Sequence, residues 1–236
     1  MATFEQFPIT FRPSSQMWFL KPAVKFGPIL PDGSQQRVQS AAPHWIAETD
    51  YLLLQPANIR EMRAYVTKMM GGAREFIMPV HDRSRAPWPT GYDYTSAKQS
   101  VSWSGGRNFS VALKRQIIQV RANSAAVAGA ATLSILQMTD GKIRRGHFFT
   151  IIDDTGRARL YQIDEAIQES TSTVGATYTI SFQPPLRAPC PAKKPLDFDD
   201  PMCTMTLAET QSGAITEEAQ SGARAQLKLR ESFGGL

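Results

Sequence analysis

Apolar and polar positions alternate in short runs over most of the chain, and one stretch keeps helical spacing. Gln16-Met17-Trp18-Phe19-Leu20 is an apolar run that stops before Pro22, and residues 44–54 set Trp45, Ala47, Tyr51 and Leu53 on one parity. Alternation of this kind predicts strands with one buried face. Pro31-Asp32-Gly33-Ser34 lies between them as a turn signal, because Asp bonds its own backbone and Gly tolerates positive φ. Over residues 57–70, Ile59, Met62, Val66 and Met69/Met70 recur at helical spacing, with Asn58 placed to cap and Glu61 three positions on. Gly71-Gly72 stops that helix, and Phe76-Ile77-Met78 is a short strand closed by Pro79.

The middle of the chain continues the strand pattern. Phe109-Ser110-Val111-Ala112-Leu113 and Ile117-Ile118-Gln119-Val120 read as strands. Alanine content predicts a helix over residues 122–131, while residues 131–136 read equally well as a strand. The clearest local signal is a hairpin: a strand over 146–152, the turn Asp153-Asp154-Thr155-Gly156, and a return strand over 157–163. Ser170-Thr171-Ser172-Thr173 is a polar, turn-forming run, and residues 177–182 then alternate strictly until Pro184-Pro185. Residues 202–207 and 223–229 supply the last strands, the second with Ala223, Ala225, Leu227 and Leu229 on one face.

Two proline-containing stretches, 81–94 and 189–201, read as linkers or surface loops and enclose the middle. The outer segments alone offer too few strands for two separate bodies. The expectation is a mainly β protein in which residues 1–81 plus 189–236 form a β-sandwich with one helix. Residues 82–188 are then inserted as a small, OB-like β-barrel, as insertions succeed at loops whose ends lie close together.

Composition narrows the chemistry. With 236 residues, 42% hydrophobic and 20% charged, the chain can bury a core without staples. Cys190 and Cys203, with three prolines between them, have a spacing that permits a bridge and does not require one. The formal charge of +5 is uneven: residues 82–188 carry 13 basic and 8 acidic side chains, residues 189–236 carry 5 and 7. That bias suits an anionic surface or an acidic neighbour, without the basic block that binds duplex DNA strongly. Glu5, Pro8 and Arg12 interrupt any secretory apolar core after Met1, and residues 122–138 are too short and weakly apolar to span a bilayer.

Catalytic patterns are not found. The three histidines, His44, His81 and His147, include one adjacent carboxylate pair, His81-Asp82, whose side chains point to opposite faces in an extended chain. Walker, His-Glu-x-x-His, Gly-x-Ser-x-Gly and EF-hand spacings are missing, and Asp197, Asp199 and Asp200 read as a solvated loop. No enzyme activity, cofactor or metal is therefore expected. One stretch looks made for contact: Arg83, Arg85, Trp88, Tyr92, Tyr94, Lys98, Trp103 and Arg107 interleave aromatic and basic side chains. Among these Arg85, Trp88, Tyr92, Tyr94, Trp103 and Arg107 are the candidate interface or glycan contacts, with packing on their own domain as the alternative for the two tryptophans.

An ordered succession of segments over residues 15–207 resembles the distal tail proteins of siphovirus-type phages. It runs through Trp18-Phe19-Leu20-Lys21, Pro31-Asp32-Gly33, Pro43-His44-Trp45 and Gly71-Gly72-Ala73-Arg74-Glu75-Phe76-Ile77-Met78-Pro79. It continues in Arg145-Gly146-His147-Phe148-Phe149-Thr150-Ile151, Arg159-Leu160-Tyr161-Gln162-Ile163, Pro184-Pro185-Leu186-Arg187 and Asp200-Pro201-Met202-Cys203-Thr204-Met205. The resemblance implies a virion structural protein at the distal end of the tail, forming a ring, usually a homohexamer, between the tail-tube protein and the tail hub or baseplate. It further implies that DNA passes through the lumen without specific binding, and that the inserted barrel faces outward toward a peripheral fibre protein or a host surface glycan. A carbohydrate- or receptor-binding module and a cell-wall hydrolase are the competing readings.

Overall fold

The computed structural model describes residues 4–8, 11–22, 24–29, 31, 33–39, 43–81, 86–89, 118–172, 175–209, 212–218 and 222–233. The fold is mainly β with one helix: a sheet built from N- and C-terminal strands, and a separate, OB-like near-barrel from the internal strands. The chain divides into two compact units, Met1–Met78 with Cys203–Leu236, and Pro79–Met202.

In the first unit the strands are β1 (Glu5–Gln6), β2 (Ser15–Lys21), β3 (Val24–Ile29), β4 (Gln35–Gln39) and β5 (His44–Leu53). After helix α1 (Pro56–Lys68) comes β6 (Phe76–Pro79). The second unit holds β7 (Val120–Ala122), β8 (Thr132–Gln137), β9 (Phe148–Ile152), β10 (Ala158–Ser172), β11 (Gly175–Gln183) and β12 (Pro195–Leu196). The chain then returns through β13 (Met202–Leu207), β14 (Ile215–Glu218) and β15 (Gly222–Glu231).

The outer sheet runs β1-β6-β13-β15-β5-β2, with β14 also on β15, and β3 and β4 pair as a separate hairpin. Its order explains why both ends of the sequence are needed. β15, from the last segment, sits between β5 and β13 and pairs with β5 over eight positions from Ala223↔Leu53 to Arg230↔Ile46. The odd-numbered residues Trp45, Ala47, Tyr51, Ala225, Leu227 and Leu229 are buried on one face. Helix α1 sends Met62 and Tyr65 into this core, where Tyr65 meets Phe7 at 5.0 Å and Phe76 at 5.8 Å between ring centroids. The helix begins on Gln55 with Pro56 in its first turn, so Asn58 is not the cap. Proline suits that position because its missing N–H would have had no intrahelical acceptor. Met70, read as part of the apolar stripe, is instead exposed at positive φ in the turn that ends the helix.

The inner sheet runs β12-β7-β8-β11-β10-β9, and its two ends meet. Thr150 on β9 and Asp197 just after β12 exchange backbone hydrogen bonds of 2.9 Å each, so the path closes on itself. Phe149 lies at the centre, with ring centroids 5.3 Å from Tyr161, 5.6 Å from Phe182 and 5.4 Å from Phe198. Three sequence expectations fail here for one reason, that long-range pairing outcompetes local preference. The alanine-rich helix does not form: Ala126 bridges Cys190, with N–H···O distances of 2.8 and 2.9 Å, and Gly129 turns at φ +84°. Residues 189–202, placed with the outer segments on composition, belong to the inner unit, to which they give β12, Cys190 and Phe198. Residues 86–89, read as linker, bury Pro87 and Pro89, and Trp88 is packed on the same core.

The hairpin turn behaves as its sequence requires. Asp153 Oδ1 accepts the N–H groups of Thr155 and Arg157 at 2.9 Å each, and Gly156 takes φ +88°. The return strand, however, runs on to Ser172 rather than ending at 163, because residues 162–172 pair with β11 across two register shifts. Gly175 opens β11 so close to β8 that a Cβ there would stand 2.0 Å from the Gln137 carbonyl oxygen.

Candidate functional site

Several buried or partly buried carboxylates among the described residues are spent on holding backbone. Asp153 and Arg159 are both buried and joined at 3.1 Å; burial pushes the Asp153 carboxyl up, but the Thr155 hydroxyl, the Arg157 N–H and the Arg159 charge together hold it below its usual range. Asp197 accepts the N–H groups of Asp199 and Asp200 at 3.0 and 3.1 Å, and Asp199 accepts that of Ile118 at 3.2 Å. The aspartate run read as a solvated loop is thus a set of backbone acceptors that ties the barrel's closing segment. Among the described residues no group of three His, Cys, Asp or Glu side chains is arranged to hold a metal.

The histidines separate. His147 is buried at the start of β9, its Nδ1 accepts the Arg144 N–H at 3.2 Å, and burial with the nearby Arg144 charge lowers its pKa to about 4. It is neutral at pH 7 and committed to a turn. His81 is exposed, and Asp82 lies outside the described residues. His44 lines a groove of 410 Å³ at one end of the outer sheet, with Glu75, Arg230, Glu231, Ser232 and Phe233. Both groove carboxylates have structural donors: Ser232 hydrogen-bonds Glu75, and Glu231 Oε2 accepts the Trp45 N–H at 3.2 Å. Cys190 and Cys203 are buried and not joined by a disulfide, and burial raises the Cys190 thiol pKa, so it is a poor nucleophile.

Of the aromatic and basic contact candidates, Trp88 is half-buried against the inner core beside Ala86, with its backbone N–H bonded to Ala86 at 2.8 Å. Arg85, Tyr92, Tyr94, Trp103 and Arg107 lie outside the described residues, as do Arg83 and Lys98.

What stands out instead are strand edges. β2 ends the outer sheet, paired with β5 from Ser15↔Asp50 to Lys21↔His44 without a register shift. Its side chains alternate half-buried and exposed, and the exposed set includes Met17 at 52% and Phe19 at 37%. The sequence run 16–20 located this strand, but nothing in it said which parity would face outward. That followed only from the pairing, which turns Trp18 toward Trp45, 6.5 Å away between ring centroids. No protein-family model matches the chain, and no curated protein matches it.

Proposed function

We propose that this chain is a structural ring component of a phage tail tip, acting by assembly rather than catalysis. The observation that carries the reading is the β2 edge: free of bulges, presenting Met17 and Phe19, and at the end of the outer sheet among the described residues. Proteins that stay apart blunt such edges with charges, bulges or short strands, and here Lys21 at the very end is the strand's one charge. A neighbouring copy laid on β2 satisfies its outward backbone groups, and a head-to-tail contact of this kind closes into a ring when the rotation per copy allows. The resemblance of the segments to distal tail proteins supplies the biological setting: the tail-tube protein on one side of the ring, the hub on the other, and DNA passing through the lumen. The commitment of Asp153, Asp197, Asp199 and Glu231 to backbone or buried partners supports a scaffold over a hydrolase.

Electron microscopy of assembled particles tests the reading. The expected result is several copies in one closed ring with β2 at the contact between neighbours. A single copy per particle, or a ring in which β2 faces solvent, overturns it.

A further inference from the structure

A second edge lies on the inner barrel and carries different chemistry. β9 pairs with β10 only from Ala158↔Ile152 to Gln162↔Phe148, whereas β11 follows the other side of β10 on to Ser172↔Gly175. The Arg145 guanidinium reaches the Asp164 carbonyl at 3.2 Å, and beyond it residues 165–172 have no strand on their outer side among the described residues. Inward-facing Ala166 packs on the barrel core, so this stretch is held in place rather than hanging free.

The outward surface of the edge has a definite pattern. Glu165 opposes Ser181 and Ile167 opposes Thr179, while Glu169 accepts the Thr179 hydroxyl, so the three side chains share the barrel's outer face. Ile167 is 55% exposed between the two carboxylates. Residues 164–172 contain no lysine or arginine, and Asp164, Glu165 and Glu169 make no ion pair among the described residues.

We propose that residues 165–172 of β10 are a docking strand for an extended segment of a partner protein carrying basic, apolar and basic side chains at alternate positions. The partner's backbone completes the ladder, its apolar side chain covers Ile167, and its flanking cations sit beside Glu165 and Glu169. A second copy is the poorer occupant. Antiparallel pairing of this stretch with itself brings the glutamates of one copy next to those of the other, a like-charge contact that a basic segment avoids. The proposal does not depend on the ring reading, since it concerns another unit and another edge.

The full chain is titrated with a fluorescent synthetic peptide whose centre reads lysine-threonine-valine-threonine-lysine, and amide exchange is followed by mass spectrometry. The expected result is saturable binding with slowed exchange confined to residues 165–172. E165K/E169K, both exposed and away from the core, should weaken binding about tenfold or more, and so should N-methylation of alternate peptide amides along one edge. Binding that survives N-methylation shows charge attraction without strand addition and overturns the proposal. So does no binding, or slowed exchange at 165–172 that rises with protein concentration in the absence of peptide, which identifies a second copy as the occupant.

Discussion

β2 and the distal half of β10 each end a ladder, yet they carry opposite surfaces. β2 is unbulged and shows Met17 and Phe19; β10 beyond Gln162 has two register shifts and shows Glu165 and Glu169 around Ile167. On the proposed readings, the first would take a neighbouring copy and the second a basic strand rather than a copy of itself. The barrel removes its remaining edge by closing Thr150 onto Asp197, an option that the open outer sheet lacks. The two edges thus differ in parity, bulges and charge, and the two proposals rest on that difference.

The comparison breaks first if the barrel is not a firm support. Phe149→Ala removes the ring around which Tyr161, Phe182 and Phe198 gather, and should cost about 3–5 kcal/mol in urea denaturation. A loss under about 1 kcal/mol would mean the core has collapsed around the gap or is not packed this way. Acid should act next. His147 titrates near pH 4 in the folded protein against 6.5 when exposed, so between those values the unfolded chain binds the extra proton. Stability is then full above pH 6.5, falls by about 3 kcal/mol on the way to pH 4, and levels below it as far as this residue is concerned. His147→Gln should flatten that slope, and equal slopes in the two proteins would contradict the buried neutral imidazole.

Closure itself is tested by a smaller change. The Thr150 hydroxyl accepts the Met202 N–H at 2.7 Å and donates to the Met202 carbonyl at 2.8 Å, so Thr150→Val should cost about 2 kcal/mol and speed exchange at Asp197. Smallest in stability is the β2 surface: Phe19→Asp, at a side chain 37% exposed, should cost about 1 kcal/mol while lowering self-association measured by sedimentation. If association is untouched, the apolar edge is not what joins copies.

Much of this architecture was legible because local and long-range preferences agree. Residues 202–207 became β13 unchanged, and Ala223, Ala225, Leu227 and Leu229 face the core as their alternation required. Legibility ended where a segment's partner is distant. Residues 122–131 have helical composition, but their backbone groups are claimed by residues 186–194, which no local pattern reports. The same applies to residues 189–202, whose prolines suggested a linker until β12 paired with β7. Site reading had a similar limit. The interleaved aromatic and basic residues drew attention by type, and Trp88 lies against its own core. Met17, Phe19, Glu165 and Ile167 are ordinary by type, and become notable only because no strand lies beside them among the described residues.

Amide hydrogen exchange, read strand by strand in the dilute chain and in the assembled particle, examines the β2 edge most directly. The amides of 15–21 that point away from β5 should exchange fast when the chain is alone and slow markedly on assembly, with β9 equally slow in both. Protection of 15–21 already complete in the dilute chain, or unchanged on assembly, would contradict a ring joined through this strand.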